Sequence, residues 1–349
     1  MTVWAQETPA PTEAPAAAEP AAPPAPAPSE PAPAATAEVA APSAADVPPA
    51  EPAAAKPKPP PYSLPWQLRP AVVGNVVRVD SAFAFYKNPA NDKSGFTDAT
   101  MLLAAYKITD EFAPLVRLGV AYNNPPTATP PIDKATNFLN PVIGGTYAIK
   151  PAKPLRLAFF LGVTIPIGSG GGDDAKAENK TANAAGIRAR SAMDNAMFSV
   201  NDFTVFPGVD LAYVSGGFTV QIEATVLELM RVKGDKKNAM GVAANPDKAK
   251  TNFTCGLHVG YFVIPQLSIG AEIRHQRFLS TPKGIEADEA SASPQGLRDT
   301  TTWAIGPRGH FKLSDKVWFR PGVAFAMAVD NPMKKADYKI VQLDLPIAF

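Results

Sequence analysis

Cysteine is almost missing: Cys255 stands alone among 349 residues, so no intrachain disulfide framework braces this chain. Histidine is nearly as scarce. His258, His275 and His310 are the only three, and none has a partner at metal-ligand spacing. No run of about 18 uncharged apolar residues occurs. That excludes a transmembrane helix but not strands that cross a bilayer, whose hydropathy signal is much weaker. Neither sign of charge prevails, with 33 basic and 32 acidic residues. The basic residues are dispersed rather than interleaved with aromatics, which argues against a nucleic-acid partner. The run Gly168 to Asp174 lacks the Lys-Ser/Thr of a phosphate loop. The sequence therefore predicts no enzyme, no cofactor and no metal.

What the chain does have is proline at one end and alternation over the rest. Residues 1–60 hold 17 of the 39 prolines and many alanines. Such a segment buries too little apolar surface to offset its ordering entropy, so residues 1–64 are expected to be a disordered tail, partly polyproline II. Val3-Trp4-Ala5 before Gln6-Glu7 has the small residues of a signal-peptide cleavage site, which makes residues 1–5 an expected remnant. Residues 65–349 are long enough for one large domain.

From Pro70 onward, apolar and small or polar residues alternate with period 2, the mark of strands. Twelve strands are expected, near 70–86, 96–109, 113–123, 138–150, 155–166, 200–214, 217–231, 251–263, 266–278, 300–313, 317–330 and 338–349. Short and long connections alternate between them without exception. In 317–330, Val317, Phe319, Val323, Phe325 and Met327 share one face; Arg320, Gly322, Ala324, Ala326 and Asp330 share the other. Aromatics gather where strands end, Trp66, Tyr213, Tyr261 and Phe349 near short turns, Phe85, Tyr86, Phe96 and Tyr338 near long loops. Two aromatic rims suit a membrane's two interfaces.

The final strand, with Leu345, Ile347 and Phe349 on its apolar face, resembles the C-terminal strand of bacterial outer-membrane β-barrels. In that class a terminal Phe is part of the signal read by the barrel-assembly machinery. The stretch Phe138-Leu139-Asn140-Pro141, Gly144-Gly145-Thr146-Tyr147 and Leu155 through Gly168 resembles, more loosely, the outer-membrane barrels grouped with meta-pathway phenol degradation. These resemblances imply an all-β fold: an antiparallel up-and-down transmembrane barrel of about 12 strands. They place it in a Gram-negative outer membrane, against its lipid, with the short turns and the tail in the periplasm. The His-x-Ser-Asn-Gly-like motif of outer-membrane phospholipases is absent.

Phase then sends one set of charges inward: Arg78, Asp80, Lys107, Arg117, Arg156, Asp202, Asp210, Glu223, Glu272, Arg274, Arg308, His310, Lys312, Arg320, Asp330 and Asp344. Charges held in a lumen must be paired or hydrated, so they either brace the wall or set selectivity. The longest connection, 167–199, is expected to be a plug or gate, or else a cover over the barrel. It offers Gly168, Gly170, Gly171 and Gly172 as a hinge, then Asp173, Asp174, Arg188 and Arg190. Since about 8 strands give a filled lumen and 16–18 an open one, twelve predict a narrow, loop-controlled channel or passive transporter for small solutes, hydrophobic ones included. The other reading is a structural barrel whose proline-rich tail contacts the cell wall or a periplasmic partner.

Overall fold

Strands form where the period-2 pattern runs, and each pairs with its neighbour in sequence. The computed structural model describes residues 62–126, 131–173, 175–234, 247–290 and 298–349. The expected tail through residue 61, its cleavage site and Asp174 lie outside them. The strand segments are β1 (Val76–Lys87), β2 (Ser94–Ala105), β3 (Phe112–Asn124), β4 (Ala135–Phe138), β5 (Val142–Ile149), β6 (Leu155–Thr164), β7 (Asp202–Ser215), β8 (Phe218–Arg231), β9 (Ala249–Ile264), β10 (Leu267–Phe278), β11 (Asp299–Gly309), β12 (Phe311–Lys312), β13 (Trp318–Phe319), β14 (Gly322–Ala328) and β15 (Lys339–Ala348). All pairings are antiparallel, and β15 returns to β1 in register from Val76 opposite Ala348 to Phe85 opposite Lys339. Closure leaves the sheet no open edge.

The wall has twelve strands, because three of them are interrupted. β4 and β5 break at Asn140-Pro141, β13 and β14 at Arg320-Pro321, and β11 and β12 at His310. Proline has no N–H to give the ladder, which accounts for the first two breaks. The first strand starts at Val76 rather than near residue 70, because the chain before it is used elsewhere.

The outward face is apolar along the whole wall. Leu161 is 56% exposed, Ile222 52%, Ile273 52% and Phe325 38%. A water-soluble protein does not expose a continuous belt of this size; hydrocarbon around a closed barrel is the solvent that matches it. Phe85, Phe96 and Tyr122 form a ring-to-ring ladder at the long-loop rim, with centroids 5.3 and 6.3 Å apart. Tyr213, Tyr261 and Phe349 are exposed at the short-turn rim. Three expected rim aromatics go inward instead: Trp66, Tyr86 and Tyr338 are buried. A charge on the outer face should be costly. Phe325→Arg is expected to destabilise the barrel by about 2–4 kcal/mol, measured by urea unfolding from lipid vesicles.

The inward face is largely small. Ala82, Ala84, Ala99, Ala121, Ala304 and Ala326 are fully buried. Small apolar side chains do not fill a twelve-stranded lumen, and they do not hold water well. The space is taken by two pieces of the chain itself. One is the connection from β6 to β7, which carries α1 (Ala177–Ala189) and α2 (Asn195–Phe198). The other is the segment just before β1, with Tyr62, Ser63, Pro65, Trp66, Leu68 and Ala71 buried. Tyr62 and Ser63, assigned by sequence to the tail, are therefore part of the barrel's interior. A third helix, α3 (Lys283–Glu289), lies in the connection from β10 to β11. No helix among the described residues is long and apolar enough to cross a membrane.

Candidate functional site: a lumen closed by two segments

The two inserted segments take opposite halves of the lumen. Around α1 and α2, Ala189, Met197 and Phe198 pack with Met101, Leu139, Phe160, Phe206, Leu227 and Leu229 toward the long-loop end. Around the N-terminal segment, Tyr62 and Ala71 pack with Ala158, Ala212 and Val214 near the short turns. Wall glycines make the seats. A Cβ at Gly256 would lie 2.5 Å from Leu68, and one at Gly322 2.5 Å from the Trp66 ring. At the other end, a Cβ on Gly119 would collide with the Met101 sulfur.

The expected hinge is a pinned strip. The Gly168 N–H donates to Asn140 Oδ1 at 2.9 Å, Ser169 N–H to the Phe138 carbonyl at 2.7 Å and Gly172 N–H to Asn201 Oδ1 at 2.7 Å. Gly170 and Gly172 have φ of +77° and +86°, a region other residues enter only with strain. Gly171 lies between them, close against Val200 and Asn201. Asp173 is exposed. Asn137 Nδ2 then donates to the Asn179 carbonyl at 2.7 Å and to Asn183 Oδ1 at 2.8 Å, tying α1 to the wall at β4.

Between the two apolar clusters lies a charged band. Arg190 donates to Asp80 on β1 and, through Nε at 2.8 Å, to Asp194 before α2. Arg117 on β3 contacts the same two carboxylates. Burial works against a charge on Asp194, but Arg117 and Arg190 outweigh it and hold the carboxyl down at about 2. Arg78 joins Asp344 at 2.7 Å and the Trp66 carbonyl. Arg308 meets Asp344 at 2.5 Å and stacks over the Trp66 ring at 4.4 Å. Glu272 accepts from the Trp66 and Gln67 N–H groups and binds Arg274 at 2.7 Å. Arg274 also points Nη1 at Ser191 between the helices, 3.5 Å away. Arg69 closes the set, with Glu223 at 2.9 Å and Asp210 at 3.7 Å. The band thus holds both inserted segments, through Asp80 and Arg274 on one side and Arg78 and Glu272 on the other.

Of the other residues that phase sends inward, none brings its own charge to the band. Lys107 follows the end of β2 and pairs with Asp110 at 2.8 Å, and Lys312 pairs with Asp315 at 2.7 Å; both are exposed. Lys107 lies past the end of β2, where phase no longer applies, and Lys312 sits on β12 at the rim, beyond the break at His310. Arg156 folds back onto the Lys153 and Leu155 carbonyls at 2.8 Å, and Asp330 takes the Thr301 N–H at 2.9 Å past the end of β14. Arg320, at the break before Pro321, gives its carbonyl to Arg308 at 2.8 Å. His310 is buried against Ser268 at 2.8 Å and Phe262. Asp202 is buried with Lys250 at 2.8 Å, away from the central band. His275, which phase sends outward, pairs with Thr301 at 3.0 Å. Sequence reasoning missed the N-terminal segment altogether. Two signals for it were present: the apolar run Tyr62 to Leu68 that belongs to no strand, and glycines on the inner faces of β9 and β14.

A closed antiparallel wall, an apolar exterior and a charged interior now stand together. The fold is that of the bacterial outer-membrane β-barrels. No protein-family model and no curated protein matches the sequence. Among solved structures, the NanC porin is similar at 8% identity, with 78% of this chain and 98% of that one covered and a TM-score of 0.43. The β-domain of the Bordetella autotransporter BrkA is similar at 8% identity, covering 79% and 100%, with a TM-score of 0.44. A Pseudomonas aeruginosa FadL homologue follows at 8% identity, 79% and 90%, and 0.38. Likeness at this level says nothing about what an outer-membrane barrel carries.

Proposed function

We propose that this chain is an outer-membrane channel or passive transporter for small solutes, and that the segment carrying α1 and α2 is its gate. The observation that carries the reading is how that segment is held. Its seat on the wall combines apolar packing with the Asp80–Arg117–Arg190–Asp194 cluster. Buried ion pairs contribute little net stability against their desolvation cost, so water entering the lumen can replace them at modest cost. The wall itself stays closed by its ladder while the segment moves. Long loops then face the cell exterior, and the short turns and the N-terminal segment face the periplasm. Surrounding lipid and the barrel-assembly machinery are the partners this placement requires, with Leu345 and Ile347 outward on β15 and Phe349 exposed just after it as the assembly signal.

A second reading has its own observation. The N-terminal segment fills the half of the lumen that the gate does not, which also suits a non-conducting barrel that anchors a periplasmic partner. Solute flux into liposomes separates the two. The full chain is expected to pass small solutes slowly, and a barrel without residues 1–72 and 170–196 rapidly. No flux through the folded, doubly shortened barrel would reject transport and leave the anchor.

A further inference from the structure

Arg69, on the inserted N-terminal segment, puts its guanidinium into a box built by three strands of the wall. Glu223 Oε1 on β8 lies 2.9 Å from Nη2, and Asp210 Oδ2 on β7 lies 3.7 Å from Nε. Thr225 Oγ1 accepts from Nη2 at 2.5 Å. The centre of the Phe160 ring on β6 is 4.5 Å from the guanidinium carbon. Gly208 leaves the room, since a Cβ there would stand 2.5 Å from Nη2. Two carboxylates, a hydroxyl and a ring face around one planar cation match what a guanidinium needs. All four wall side chains are buried, Asp210 completely.

The box holds more acid than its present occupant needs. Asp210 and Glu223 stand directly opposite each other across β7 and β8, and like charges so placed cost stability. Elsewhere in the band the acids have cations enough. Asp344 meets Arg78 and Arg308, Glu272 meets Arg274, and Asp80 and Asp194 share Arg117 and Arg190. Here two acids share Arg69, and Asp210 Oδ2 accepts no hydrogen bond among the described residues. One carboxylate is enough to seat the segment. The Arg69 side chain also keeps 21% of its surface exposed, more than any other arginine of the band, which gives a competing cation a way in.

We infer that this box is a binding site for a small solute carrying a guanidinium group, and that Arg69 is its built-in occupant, displaced when the solute arrives. A neutral molecule of the same shape would leave both carboxylates unpaired. A compact ammonium cannot lie flat on the ring while reaching both acids. Taking the bound solute as the cargo rests on the transport reading; the site itself does not.

The test is calorimetric titration of the full chain in lipid nanodiscs with ethylguanidinium, ethylammonium and the neutral isostere ethylurea. Ethylguanidinium is expected to bind the parent protein in preference to the other two. Arg69→Ala, which vacates the box, is expected to bind it about tenfold more tightly, and adding Glu223→Gln to that variant to reverse the gain, each step one hydrogen bond between charged groups. The parent titration decides the matter even where Arg69→Ala does not fold. A parent that binds no ethylguanidinium has a purely structural ion pair there, which overturns the inference. Ethylurea or ethylammonium binding as well as ethylguanidinium also overturns it, and so does affinity unchanged by Glu223→Gln. Binding without flux supports the site and removes only the transport reading. Flux without binding removes the site.

Discussion

Arg190→Ala is expected to unseat the segment carrying α1 and α2 while leaving the barrel intact. Arg190 is 1% exposed and joins Asp80 on the wall to Asp194 beside α2. Its removal leaves two buried carboxylates to share Arg117, with Arg78 near Asp80 only at 3.8 Å. Breaking a buried ion pair by deleting one partner costs about 3–5 kcal/mol. The wall does not share that loss, because its ladder closes without the segment. Residues 170–200 should therefore become cleavable by protease in a barrel that keeps its heat-modifiable gel mobility. Replacing Asp194 with Asn as well should restore part of the seating, since fewer unpaired charges remain; a double variant as open as the single one would contradict this. The pH dependence follows from Asp194. Its carboxyl is held below the ordinary range, so its contribution is complete above the unfolded value of about 4 and is lost as pH falls from there toward 2. Protease protection in the parent protein should persist at pH 5 and weaken below pH 4.

Removing residues 1–72 and 170–196 together is expected to open a pore, with conductance in a planar bilayer well above that of either single deletion. The two obstructions occupy successive halves of one lumen, so their resistances add in series and the survivor still limits current. Twelve strands enclose more space than the side-chain-filled lumen of about 8, and the inner wall of this barrel is rich in alanine and glycine. The deletion also takes Arg69 from Asp210 and Glu223, which then face each other across β7 and β8. An open pore lets water reach that pair, and its negative charge should favour cations. If the 170–196 deletion alone reached the conductance of the double one, the N-terminal segment would not be a barrier. A lumen full of protein also changes how inner-face charges behave. Ala324 is 2% exposed, so an arginine there meets packed atoms rather than water and should destabilise the barrel as Phe325→Arg does.

Local physics was enough to read the wall from the sequence. Side chains alternate across a strand whatever its neighbours are, so Val323 and Phe325 were legible as outward and Ala324 and Ala326 as inward before any pairing was known. Even the breaks at Pro141 and Pro321 have a local cause in the missing N–H. At the rim the same rule misleads: Lys107 lies past the end of β2, and Lys312 sits on the two-residue β12 beyond the break at His310. The lumen was decided by tertiary structure alone. Ala177 to Ala189 reads AENKTANAAGIRA, with no apolar stripe to announce a partner, because α1 packs through alanine, glycine and asparagine into a space whose shape several distant strands define. Trp66 meets Glu272 across 206 residues of sequence, and Arg190 meets Asp80 across 110. No periodic pattern encodes such contacts. The sequence determines that a barrel forms and which face meets lipid; only closure of the sheet creates the interior in which two remote segments find their charges and fill it.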